Sequence, residues 1–122
     1  IRHDVDLTSI TASVHDGQAA ACWLVVSPDG EHAFAANAGA GNLSAFRIGA
    51  RGSISLVGDG VAGVTGKGSH PVDMAFAGDE ILYVLETGTS PTIGAFSVDG
   101  ARLSALPNTG VLPASAAGLV AR

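Results

Sequence analysis

Residues 27–48 read SPDGEHAFAANAGAGNLSAFRI, and residues 77–98 read AGDEILYVLETGTSPTIGAFSV. Each is a turn, an apolar run, a Gly-rich turn and a second apolar run built on Ala-Phe. Laid over one another, Phe46 meets Phe96, Ala45 meets Ala95 and Phe34 meets Tyr83, at a spacing of 49–50 residues. A period of roughly 40–50 residues in short strands is the mark of a β-propeller blade.

The neighbouring sequence completes both copies. The first gains ACWLVV (21–26) before it and SISLVG (53–58) after it. Its strands HAFAAN (32–37) and LSAFRI (43–48) are separated by AGAGN (38–42). The second comprises PVDMAF (71–76), EILYVLE (80–86), TIGAFSV (92–98) and RLSAL (102–106). Gly, Pro, Asp and Asn bound every run, and no 3.6-residue stripe exceeds two turns, so strands and turns are expected rather than helices. In SPDG, Pro28 presets the second turn position and Gly30 closes the turn.

The expected fold is all-β: a partial β-propeller of about two complete four-stranded antiparallel blades plus flanking strands. Residues 1–20 read as the end of a preceding blade and a lead-in loop, 21–70 and 71–106 as blades, and 107–122 as a closing segment. LTSITASV (7–14) alternates as an outermost strand does, and AAGLVAR (116–122) falls where a third innermost strand would begin. A β-sandwich also has short strands and many turns. It has no reason to repeat its turn chemistry at one offset.

Composition limits what such a unit does. Apolar residues are 47% of the 122 and charged residues 14%, well under the usual quarter. Such a chain exposes little surface or is covered by more protein. Six Lys and Arg with a net charge of −5 leave no basic stripe for nucleic acid. No apolar run reaches the roughly 18 residues of a membrane helix, and the first residues do not resemble a signal peptide. The chain begins with Ile1 rather than Met, so a longer natural polypeptide is expected. The compartment, cytoplasm or exterior, is left open. The single Cys22 forms no internal disulfide, and beside Trp23 it is expected in apolar packing.

Strand order in a blade sorts the loops onto two faces. HDGQ (15–18), NAGAGN (37–42), GKGSH (66–70) and ETGTSPT (86–92) share one face, and the plain hairpin turns share the other. The first face is the richer one, with Asn37, Asn42, Lys67, Ser69, His70, Glu86 and Thr87. Asp73, on an otherwise apolar inner strand, needs a partner if buried, either backbone N–H groups or a wet channel. Glu86 and Asn37 hold matched strand-end positions, as turn caps or ligand groups. His70 is expected extended because Pro71 follows it. Asp73, Glu86 and His70 are the candidate catalytic residues; Asn37, Asn42 and Thr87 are the candidate ligand-binding residues. His3, His15, His32 and His70 lack metal-ligand spacing. No metal and no cofactor are expected. GAGN and GKGS lack the following helix of a phosphate loop.

The segments AACWLVVSPDGEHAFAANAGAGNLSAFRI, VTGKGSHPVDMAF, LYVLETGTSPTIGAFSVDG and LPASAAGLVAR, in that order, resemble the C-terminal third of bacterial lactonase-family propellers. These seven-bladed, WD40/YVTN-like proteins are grouped with 6-phosphogluconolactonase and carboxymuconate cyclase. The resemblance implies a chain about three times longer, acting on a sugar or muconate lactone at the channel mouth. It also implies no required metal in the cyclase branch. The His, Arg and Glu catalytic in that branch match no position here.

Two blades leave apolar faces and sheet edges unsealed. The expected partners are other blades of the same protein or further copies closing a ring, with a small lactone as ligand. The competing reading is a non-catalytic scaffold that binds ligands or protein loops on the Asn37/Glu86 face.

Overall fold

The computed structural model describes residues 5–108 and 110–122. His3 and Thr109, and with them part of the 1–20 and 107–122 segments, lie outside the described residues. Among the described residues, nine strands form two antiparallel sheets. Blade 1 contains β1 (Ala21–Val26), β2 (His32–Asn37), β3 (Asn42–Ile48) and β4 (Ile54–Leu56), in that order. A short β5 (Gly63–Val64) pairs with the other end of β3 through Asn42↔Val64 and Leu43↔Gly63. Blade 2 contains β6 (Pro71–Ala77), β7 (Ile81–Glu86), β8 (Thr92–Asp99) and β9 (Arg102–Leu106).

The core is the seam between the blades. Alternation aims Phe34 and Ala36 of β2, with Leu43 and Ala45 of β3, at one face of blade 1. Met74, Leu82, Val84, Phe96 and Leu103 of blade 2 meet them in one buried cluster. The Phe34 and Phe76 rings stand 6.0 Å apart at 57°, the tilted arrangement aromatic pairs favour. Alanines at positions 36 and 45 let the sheets approach around Phe34, so large side chains interdigitate with small ones. Each large apolar side chain fully buried here contributes about 1.5–3 kcal/mol.

The outer faces differ. On blade 1, Ala33, Ala35 and Phe46 pack with Val14, Ile48 and Leu56, and the Ile54 N–H donates to Thr11 Oγ1 (3.1 Å). An apolar groove of ≈ 350 Å³ remains between residues 11–14 and Leu24, Val26 and Ile54. On blade 2, Tyr83 and Ile93 lie beside Leu119, Val120 and Ala121 of the C-terminal segment.

Several expectations are corrected. Residues 7–14 form no strand, nor do 116–122; each runs over a blade face without a sheet partner to supply ladder hydrogen bonds. The fourth strand of blade 1 is confined to 54–56, and β5 was not foreseen. In the apolar run ACWLVV, Trp23, Leu24 and Val26 are about half exposed. Cys22 is exposed rather than packed; it is the residue left unpaired by the register shift between Ala21 and Trp23.

The lead-in loops of both blades share one backbone device. Among the described residues, Ala20 and His70, fifty residues apart, are the non-glycine residues with positive φ, at 57° and 51°. Each offers its carbonyl to the second hairpin of its blade: Ala38 N–H to Ala20 O (2.9 Å) and Thr87 N–H to His70 O (3.0 Å). The preceding residue repeats the contact, Gly39 to Ala19 (3.1 Å) and Gly88 to Ser69 (2.8 Å). A register shift follows in each inner strand, between Ala21 and Trp23 and between Pro71 and Asp73. His70 is therefore not extended, as Pro71 alone would imply. Its carbonyl is held by Thr87, and the left-handed turn is what aims it there. Gly88 is required at this approach, since a Cβ would run into the Gly68 carbonyl.

Truncating Leu82, fully buried in the seam, is expected to lower the unfolding free energy by about 2–5 kcal/mol. Urea melts of Leu82→Ala should show a lower midpoint with an unchanged slope.

Candidate functional site

The polar residues of the loop-rich face form two crevices at equivalent places in the two blades. In blade 1 the crevice is closed. Asn37, fully buried, donates from Nδ2 to Asn42 Oδ1 (2.9 Å) and Ser44 Oγ (2.8 Å). The Ser44 hydroxyl lies 2.7 Å from both Asp16 Oδ2 and the Gly60 carbonyl. Asn42 Nδ2 donates to Gln18 Oε1 (2.7 Å). Asp16 and Gln18 thus reach in from the lead-in loop and fill the space. Burial, the largest influence on Asp16, pushes its carboxyl up. Donation from the Gln18 N–H, Ser44 and Asn37 outweighs it and holds the group below the ordinary carboxylate value. Only Asn37 Oδ1 in this network is buried without a partner.

In blade 2 the equivalent crevice is open. Glu86 takes the place of Asn37, and Gly94 that of Ser44. The longer Glu86 side chain lies against the bare Gly94, where a Cβ would strike Oε1. Glu86 is only 5% exposed, and burial pushes its carboxyl up to about 7. It borders a cleft of ≈ 270 Å³ with Thr65, Lys67, Ser69, Thr89 and Ser90. Thr65 and Ser69 share a hydroxyl–hydroxyl bond (2.7 Å), and Ser69 Oγ donates to Gly66 O (2.7 Å). Lys67 is exposed at the cleft.

The other expected site residues lie apart from this cleft. Asp73, 7% exposed, accepts from the Met74 N–H at Oδ1 (2.7 Å) and the Leu119 N–H at Oδ2 (2.6 Å). Its carboxylate ties the C-terminal segment to the inner strand. The His70 side chain is exposed. Thr87 donates through N–H and Oγ1 (3.4 Å) to the His70 carbonyl. Asn37 and Asn42 belong to the closed crevice. Reading the sequence alone missed Ser44, Gly60 and Gly94, though the exchange of Asn37/Ser44 for Glu86/Gly94 between the repeats was the available signal.

On the opposite face, Asp29, Glu31 and His32 each bring one ligand-type atom within 4.8 Å of the others, the two acids exposed. Asp29 Oδ1 is already engaged by Ser27 Oγ (2.5 Å) and the Glu31 N–H (2.9 Å). The Ser27 hydroxyl, foremost, holds the Asp29 carboxyl below its usual value. This is the chemistry of the SPDG turn.

No protein-family model matches the sequence. No curated protein matches it either. Solved structures do. A putative 6-phosphogluconolactonase from Bacteroides fragilis NCTC 9343 superposes with a TM-score of 0.60 at 21% identity, over 71% of this chain and 25% of that one. Its counterpart from Bacteroides uniformis ATCC 8492 gives 0.60 at 20%, over 75% and 28%. The fold is therefore that of a partial lactonase-type propeller, and the chain spans about a quarter of the length of these proteins.

The raised Glu86 carboxyl makes stability pH-dependent. The folded state holds this proton more tightly than the unfolded chain, whose value is near 4.5. The associated stability is present below pH ~4.5 and is lost as pH rises through about 7. Urea midpoints should fall between pH 5 and pH 8.5, and the fall should be smaller in Glu86→Gln.

Proposed function

We propose that this chain supplies two blades of a longer propeller that hydrolyses or forms a lactone, of a sugar or muconate type, at the loop-rich mouth of its channel. The observation that carries the reading is Glu86: a buried carboxyl at the rim, poised near neutral pH, beside an open polar cleft in a lactonase-type fold. Lactone hydrolysis needs a group that takes a proton from water at neutral pH and donors that stabilise the developing oxyanion. Glu86 has the environment for the first role, and Lys67, which borders the same cleft, is the candidate donor. Asp73 supports the wall by holding Leu119. His70 contributes through its carbonyl, which sets the position of the Thr87 turn. Acid, base or donor groups beyond Glu86 and Lys67 come from blades outside this chain. Those blades, of the same polypeptide or of further copies, seal the apolar groove beside β1.

The non-catalytic alternative, a scaffold binding ligands or protein loops, is favoured by one feature. The cleft combines Gly, Ser and Thr with a single carboxyl rather than a converging acid, His and Arg set. Lactone turnover by the full-length polypeptide separates the readings. Glu86→Gln is expected to lower kcat about 10²–10⁴-fold. Absence of turnover on sugar and muconate lactones, or an unchanged kcat in the variant, favours the scaffold.

A further inference from the structure

The two crevices are internal controls for one another. In blade 1, a carboxylate, that of Asp16, occupies the crevice and accepts from a hydroxyl, that of Ser44. In blade 2 the residues fifty positions on from Asp16 and Gln18 are Gly66 and Gly68. Neither has a side chain to reach inward, and both turn the loop with positive φ. Ser44 is replaced by Gly94, and the carboxyl of Glu86 lies over that glycine. The donor has changed from a serine hydroxyl to an acid that carries a proton at and below neutral pH, and among the described residues the lead-in loop offers it no counterpart of Asp16. Glu86 is more than nine-tenths buried and borders the cleft.

We propose that the blade 2 cleft binds a small carboxylate, which takes the place that Asp16 fills in blade 1. The protonated Glu86 donates to one carboxylate oxygen of the ligand, as Ser44 does to Asp16, and Lys67 supplies the compensating charge at the mouth. The inference rests on reading this cleft as the ligand site of the propeller, and it names the chemical class that the site holds.

Two carboxyl groups in contact share one proton, because like charges at hydrogen-bond distance cannot both ionise readily. Binding therefore depends on Glu86 keeping its proton, which burial favours up to about pH 7. Lys67, from the lead-in loop, is the one other charged group among the described residues bordering the cleft. On the inner strand, Asp73 is committed to the Met74 and Leu119 N–H groups. His70 presents its carbonyl, not its ring, to the adjoining turn.

The test is a titration of the full-length polypeptide with acetate and glycolate at pH 6 and pH 8.5, followed by isotope-edited NMR of the Glu86 side-chain carboxyl and the Gly66 and Gly68 amides. Saturable shifts at pH 6, weakening about tenfold per unit above pH ~7, are expected, with none for acetamide. Glu86→Gln keeps a donor that does not titrate, so it should bind acetate with little pH dependence. Lys67→Gln, a surface change, should bind several-fold more weakly. Absent shifts with either acid at pH 6, equal shifts with acetamide, or tighter binding at pH 8.5 would overturn the inference. Lactone turnover measured in parallel keeps the two proposals apart. Turnover without acetate binding removes only the carboxylate site, and acetate binding without turnover removes only the lactone reading.

Discussion

The structure depends on two small sheets pressed face to face. Neither blade buries its apolar residues alone: Phe34 and Leu43 are covered by blade 2, and Leu82, Val84 and Phe96 by blade 1. That dependence follows from the composition. A chain with 14% charged residues cannot cover four sheet faces with polar groups, so its faces seek one another. The same logic leaves Leu24 and Val26 half exposed on the far side of blade 1. The seam inside the chain shows how such a face is satisfied.

The repeat also sets the rim. In both blades a left-handed residue and a bulge lead into the inner strand, and the preceding loop is bonded to the second hairpin. A shared frame then carries different chemistry. Blade 1 spends its rim on self-filling: Asp16 and Gln18 close onto Asn37, Asn42 and Ser44. Blade 2 exchanges those plugs for Gly66 and Gly68 and the amide for Glu86. One copy of the repeat is sealed and the other open. The carboxyl that results is buried, which is why its proton is held to about pH 7.

Most of the fold was legible in the sequence because it is written in period-2 alternation and turn residues, both local signals. Strand edges of blade 2 agree closely, from EILYVLE against Ile81–Glu86 to RLSAL against Arg102–Leu106. Misread were the features set by tertiary contact. LTSITASV alternates, yet it has no partner strand and stays irregular. The conformation of His70 is dictated by the bond from Thr87, which lies seventeen residues away, and not by Pro71. Cys22 looks like a core residue until it is seen to be the unpaired residue of the register shift in β1. At the site, Glu86 and Asn37 were recognisable as matched positions. The decisive difference lies in what is missing opposite Glu86, a pair of side chains lost to glycine, and a strand-and-turn reading does not register a missing plug.

Native-state hydrogen exchange tests the interdependence of the blades most directly. The amides of β2 and β7 should exchange through one shared opening, and Phe34→Ala, a change in blade 1 alone, should accelerate both by the same factor. Exchange in β7 that is unaffected by the loss of Phe34 would contradict the account, since it would mean that blade 2 holds its core without its neighbour.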